Sequence, residues 1–161
     1  MRSYFALILL VTGVREIEPS KNVAKYINSG FVKVLEECKQ ELNMSDNILA
    51  DLFHFWKLEY DLVHRDTGCI ILCMSKKLDL IDANGKLHHG NAQEFAMKHG
   101  AEEETATKLV SSLHECEKKN EGVQDDCLQV LEVAKCFRTD VQDIGWEPKA
   151  EYIIEEVLTE V

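Results

Sequence analysis

The sequence predicts an all-α fold in one compact domain. Three observations predict it. Apolar residues recur at helical spacing nearly from end to end, no run alternates as a strand would, and the connections are short with only two prolines. At 161 residues the chain has room for one ordinary domain, and no internal repeat or low-complexity linker divides it. Its 45% hydrophobic content places it among globular rather than disordered chains.

The opening "MRSYFALILLVTGV" has an arginine followed by an apolar run from Phe5 to Val11. That run is too short to cross a bilayer and has the form of a secretory signal peptide. Residues 1–19 are therefore assigned to a signal peptide, with the cleavage point open, and residues 20–161 to the folded domain.

The first helix is expected over 21–42, where Val23, Ile27, Phe31, Val34, Leu35, Cys38 and Leu42 step by three and four. Ser45 or Asp46 is placed to cap a short second helix carrying Ile48, Leu49, Leu52 and Phe53. "FWKLEYDLVHRD" continues less regularly. A third helix is expected over 65–78. "DANGKLHHG" at 82–90 reads as a loop because of Asn84-Gly85 and Gly90. "NAQEFAMKHG" reads as a short helix ended by Gly100. Helices over 102–119 and 126–144 follow, the last stopped by Gly145.

The net charge of −11 disfavours nucleic acid and anionic membrane surfaces as partners. It is unchanged by removal of residues 1–19, because Arg2 and Arg15 leave with Glu16 and Glu18. Catalytic signatures such as G-x-S-x-G and H-E-x-x-H are absent, so an enzyme is not expected. Asn43-Met44-Ser45 forms a glycosylation sequon whose occupancy stays open.

Six cysteines behind a signal peptide argue for three disulfides, and arithmetic alone allows fifteen pairings. Cys69 and Cys73 stand at i, i+4 on one helix, with Cβ atoms about 6 Å apart, too far for a relaxed bond to each other. Each should reach a different segment. The spacing also fits neither a redox nor a zinc motif.

The frame C-x30-C-x3-C-x42-C-x10-C-x8-C, with "GCIILCMSKKL", "LHHGNAQEFAMKHGA" and "HECEKK", resembles the insect odorant-binding proteins and, within them, the moth pheromone-binding proteins. The resemblance covers about 20–161. It implies six to seven helices around one enclosed apolar cavity, stapled by interlocked disulfides Cys38–Cys73, Cys69–Cys127 and Cys116–Cys136. It further implies a secreted carrier of antennal sensillum lymph that takes long-chain alcohols, aldehydes, acetates or related hydrocarbons to odorant receptors. A general odorant or lipid carrier not dedicated to sex pheromone is the alternative. The partners so implied are a small hydrophobic ligand and, transiently, an odorant receptor or membrane surface at delivery. A homodimer at neutral pH is left open. No cofactor and no metal are implied.

A long hydrocarbon needs a concave apolar site. The aromatic supply fits: Phe31, Phe53, Phe55, Trp56, Phe95 and Phe137. By resemblance, Phe31 and Phe137 sandwich the ligand's double bonds, and Phe55, Trp56, Ile71, Leu87, Phe95, Val110 and Leu113 line the wall. Ser75 stands where relatives hydrogen-bond the polar head; its competing partner is a helical carbonyl one turn back. Leu72 departs from relatives that carry Asn there.

The resemblance also makes His88, His89 and His114 a pH-dependent gate over the cavity mouth, since imidazoles charge between about pH 5 and 8 and then repel. Adjacent histidines can also hold a metal, but no third ligand at a recognisable spacing is visible in the sequence. His54, His64 and His99 read as structural or exposed.

The tail "EPKAEYIIEEVLTEV" mixes acid and oil. On a helix, Ile153, Ile154, Val157, Leu158 and Val161 fall within about 140° of arc, with Glu155, Glu156 and Glu160 opposite and Glu151 at the margin. Burying ionised carboxylates costs several kcal/mol each, so the tail should stay out of a cavity at neutral pH. Burial raises a carboxylate's pKa, so the inserted form binds more protons and acid must favour it. The resemblance places Glu151, Glu156 and Glu160 as the acidic triggers of such a switch over residues 147–161. The preceding "VQDIGW" departs from the basic turn of relatives, so the midpoint is left open.

Overall fold

The computed structural model describes residues 31–146. Both the expected signal peptide and the expected switch segment, with Glu151, Glu156 and Glu160, lie outside the described residues. Six α-helices occupy the described chain: α1 (Lys33–Glu41), α2 (Asn47–Trp56), α3 (Arg65–Lys77), α4 (His89–Lys98), α5 (Glu103–Lys119) and α6 (Asp126–Ile144), with a 3-10 turn at Tyr60–Leu62 between α2 and α3. Extended pairing among the described residues is confined to one antiparallel bridge between Ile81 and Leu87.

Helix ends follow local chemistry. Gly145 takes φ 72° after α6, and Gly100 takes φ 95° after α4, conformations that residues with a Cβ rarely adopt. Asp125 caps α6 by accepting the Leu128 N–H at 2.9 Å. Two expectations are corrected. Asp46 occupies the cap position of α2 but makes no capping bond; its carboxylate is drawn instead to the Lys39 ammonium at 2.6 Å. The loop expected over 82–90 also ends early, because α4 begins at His89. The His88 imidazole accepts the Asn91 N–H at 3.3 Å and so starts the helix before Gly90.

The disulfides join Cys38 to Cys73, Cys69 to Cys127 and Cys116 to Cys136. The i, i+4 cysteines of α3 thus reach α1 on one side and α6 on the other, and the third bridge ties α5 to α6. Helices α3 and α6 approach closely, with the Cα atoms of Cys69 and Cys127 4.5 Å apart. Gly68 makes this possible. A Cβ there would collide with the Cys127 carbonyl and sit 2.9 Å from Leu131 Cβ.

Two packed clusters flank this spine. One gathers Leu35, Ile48, Leu49, Leu52, Ile70 and Met74 from α1, α2 and α3. The other gathers Ala96, Ala101, Ala106, Leu109 and Val141 around α4, α5 and α6. Arg138 bridges outward from α6: its guanidinium donates to the Trp56 carbonyl at 3.0 Å and lies over the Trp56 ring at 5.2 Å. This pins the end of α2 against α6. Asp51 anchors the start of α3, accepting from the His64 N–H at 3.1 Å and from the fully buried Thr67 hydroxyl at 3.2 Å.

Gly68→Ala is expected to destabilise the fold by roughly 1–3 kcal/mol, because overpacking at a backbone contact forces the helices apart. Urea denaturation with the disulfides intact measures it; a midpoint equal to wild type would remove the close-packing account of α3 on α6.

Candidate functional site

Between the two clusters lies a cavity of about 360 Å³, within the size range of ligand pockets. Helices α3 to α6 each contribute one face at helical spacing. Helix α3 gives Ile71 and Ser75; α4 gives Ala92, Phe95 and Ala96, with His99 just past its end; α5 gives Leu109, Val110, Leu113 and Glu117. Helix α6 gives Gln129, Val130, Val133, Ala134 and Phe137, and Trp56 closes from the end of α2. Phe31 and Trp146 enter from the two ends of the described chain, and Leu80, Ile81 and Gly85–Leu87 from the α3–α4 loop. Phe31, Trp56, Ile71, Phe95, Val110, Leu113 and Phe137 are only half-buried, although they face inward. Large apolar side chains keep that exposure because they face a hollow.

Of the ten residues expected to contact ligand, Phe31, Trp56, Ile71, Ser75, Leu87, Phe95, Val110, Leu113 and Phe137 line the cavity. Phe55 does not. It is buried beside it, edge-on to Trp56 at 5.8 Å and tilted against Tyr60 at 6.1 Å. Successive helical residues point about 100° apart, so Phe55 and Trp56 diverge and only one faces the hollow.

Several further wall residues stand one or two helical turns from the expected ones. Glu117 is four beyond Leu113, and His99 is four beyond Phe95. Ala134, Val133, Val130 and Gln129 precede Phe137 by three, four, seven and eight. His99, expected to be structural or exposed, lines the cavity, with its ring 4.1 Å from that of Phe95 and its Nδ1 2.7 Å from the Phe95 carbonyl oxygen.

Polar groups on the wall are few. The Ser75 hydroxyl makes no hydrogen bond among the described residues, so the expected competing bond to a helical carbonyl is not formed. The rim is better organised. The loop after α3 folds back on itself: Asp82 N–H donates to the Lys86 carbonyl at 2.7 Å and His88 N–H to the Leu80 carbonyl at 2.8 Å. The Asp82 carboxylate accepts the N–H groups of Asn84 at 2.8 Å and Lys86 at 2.9 Å. The Leu87 N–H donates to Glu117 Oε1 at 2.9 Å, which docks the loop on α5.

The Lys86 N–H, followed by that of Asn84, holds the Asp82 carboxyl below its ordinary value of 3.8. A lowered carboxylate pKa stabilises the turn above that ordinary value, and the stabilisation is lost as pH falls through the still lower folded value. The two N–H bonds to the Asp82 carboxylate therefore persist through neutral and mildly acid pH.

The three expected gate histidines do not form one cluster. His88 is exposed and caps α4. His89 and His114 meet, ring centroids 4.9 Å apart and edge to face. His114 Nδ1 is buried, 3.6 Å from Glu117 Oε2 and without a hydrogen bond among the described residues. Glu117 thus joins the histidine pair and the loop.

Comparison with known proteins now places this architecture. Residues 21–140 match the PBP/GOBP family. The chain belongs to the PBP/GOBP family. It is 42% identical over 157 residues to "Pheromone-binding protein 2" of Epiphyas postvittana, covering 98% of this chain and 94% of that one. It is 35% identical over 153 residues to "General odorant-binding protein 2" of Bombyx mori, covering 95% and 96%. The corresponding protein of Heliothis virescens is 34% identical over 152 residues, covering 94% of each. Among solved structures, Epiphyas postvittana Pheromone Binding Protein 3 superposes with a TM-score of 0.71 at 57% identity, covering 73% of this chain and all of that one. PBP/GOBP proteins are binding carriers, and this member is not an enzyme.

Amide exchange at Asn84 and Lys86 is expected to stay slow, relative to intrinsic rates, down to the ordinary aspartate value of 3.8 and to lose protection below it. Asp82→Ala should remove that protection at every pH. Exchange that accelerates in step with histidine protonation instead would refute the acid-resistant turn.

Proposed function

We propose that this chain is a secreted carrier that binds and solubilises long-chain hydrophobic pheromones or odorants. It delivers them to olfactory receptors from the sensillum lymph and releases them in acid. One observation carries the reading: an apolar cavity of about 360 Å³ whose wall is built by every helix from α2 to α6. Burial of each CH₂ contributes roughly 0.8 kcal/mol before ordering costs, so a long alkyl chain supplies most of its own affinity. Phe31 and Phe137 on the wall fit flat unsaturated segments, and Ser75 fits a polar head.

Displacement of a fluorescent hydrophobic probe by a panel of long-chain alcohols, aldehydes, acetates and hydrocarbons tests this directly. Tight, saturable displacement is expected; a failure of every member to displace would overturn it. A sharp preference for one chain length and head group favours a pheromone carrier. Broad displacement favours a general odorant carrier, as the names of the Bombyx mori and Heliothis virescens relatives suggest for them.

Ser75→Ala is expected to weaken alcohols and aldehydes by about 0.5–1.5 kcal/mol and to leave plain hydrocarbons unchanged. Equal weakening across the panel would mean that Ser75 shapes the wall rather than meeting a head group.

Release is assigned to competition between ligand and the segment 147–161 for one space. The support is its sequence, five apolar residues along one arc with Glu156 and Glu160 opposite and Glu151 at the margin. Insertion raises the carboxylate pKa values, so the inserted form gains protons as pH falls and displaces ligand. The mouth opens mechanically where the loop is docked, at the contacts of His89 with His114 and of Leu87 with Glu117. Affinity of the full chain should fall between about pH 7 and about pH 5. A chain ending at residue 146 should keep its affinity in acid. An undiminished acid loss in that shortened chain would remove the tail from the mechanism.

A further inference from the structure

We propose that His89, His114 and Glu117 form a binding site for a divalent transition-metal cation of the zinc class, and that the bound ion ties the start of α4 to α5 at the cavity rim. Each residue offers a ligand atom, and these atoms lie within 4.8 Å of one another. The third ligand that the sequence spacing hid is supplied by the fold: His114 and Glu117 stand at i, i+3 on α5, and the packing of α4 on α5 brings His89 to them.

Four features fit a cation. His114 Nδ1 is buried, makes no hydrogen bond among the described residues and stands 3.6 Å from Glu117 Oε2, so when unprotonated it can donate to an ion held beside that carboxylate. Zinc–nitrogen and zinc–oxygen bonds of about 2.0–2.2 Å in tetrahedral geometry require donors roughly 3.3–3.5 Å apart, so the His114–Glu117 pair is already close to size. The exposed His89 side chain has freedom to close the remaining gap. Finally, the Glu117 carboxylate is oriented from behind, since its Oε1 accepts the Leu87 N–H at 2.9 Å and leaves Oε2 for the ion. Two imidazoles and one carboxylate, with a fourth position for water, suit zinc or copper and not the all-oxygen preference of calcium or magnesium.

The site's consequence rests on the carrier reading. Glu117 lines the cavity and holds Leu87, another wall residue, so an ion here would slow the loop's departure and a bound ligand's escape.

Calorimetric titration of zinc chloride into the ligand-free full chain tests the site itself. One saturable ion per chain, reversed by a chelator, is expected. His89→Ala, His114→Ala and Glu117→Gln should each weaken it at least about tenfold, while His54→Ala, a histidine paired elsewhere with Glu59, should not change it. The His89 variant guards against misfolding, because that side chain is exposed. Absence of saturable binding, or binding unaffected by His89→Ala and His114→Ala, would overturn the site. The dissociation rate of a hydrophobic probe then tests the tie: zinc should slow it in wild type and not in His89→Ala, and equal rates with and without zinc would overturn the tie. If no hydrophobic probe binds in chelator, the carrier reading fails, whereas the zinc titration stands or falls separately.

Discussion

The interaction on which this structure depends is the double staple of α3. Hydrophobic collapse tends to close an apolar hollow, because atoms facing a void lose their dispersion partners. At about 24 cal/mol per Å³, a dry void of 360 Å³ would cost on the order of 9 kcal/mol. Three disulfides, at about 2–4 kcal/mol each, are of the size needed to offset that cost. They also act in the right place. Cys69 and Cys73 leave one face of α3 toward α6 and α1, and Cys116–Cys136 fixes α5 on α6, so the walls stay connected where the interior does not pack.

Gly68 and Arg138 show how the same arrangement is kept tight outside the hollow. The missing Cβ of Gly68 lets α3 and α6 meet at backbone distance. The Arg138 guanidinium, buried against the Trp56 carbonyl and ring, sets the angle at which Trp56 reaches the cavity. Packing is concentrated in two clusters and along this seam, and the ligand space is what remains between them.

Much of this was legible in the residues. The i, i+4 placement of Cys69 and Cys73 excludes a bond between them, and helical periodicity sets α3, α5 and α6 to within a residue or so. The pairing itself came with the resemblance. What stayed hidden was three-dimensional. Phe55 and Trp56 look equivalent in sequence, yet their roughly 100° divergence sends one into the core and the other to the cavity. The early start of α4 depends on a histidine acting as a cap, which composition does not announce. Glu117 reads as one acid among many in a chain of net charge −11. Only the packing of α4 on α5, with the loop folded over them, makes it the partner of Leu87 and brings His89 beside it.

A neutral-pH crystal of the ligand-free protein under xenon pressure measures the central claim most directly, because xenon enters apolar voids and not packed cores. Xenon density is expected, enclosed by Trp56, Phe95, Val110 and Phe137 with the helices unmoved. A solid interior in which those four side chains touch one another, with no xenon between them, would contradict it.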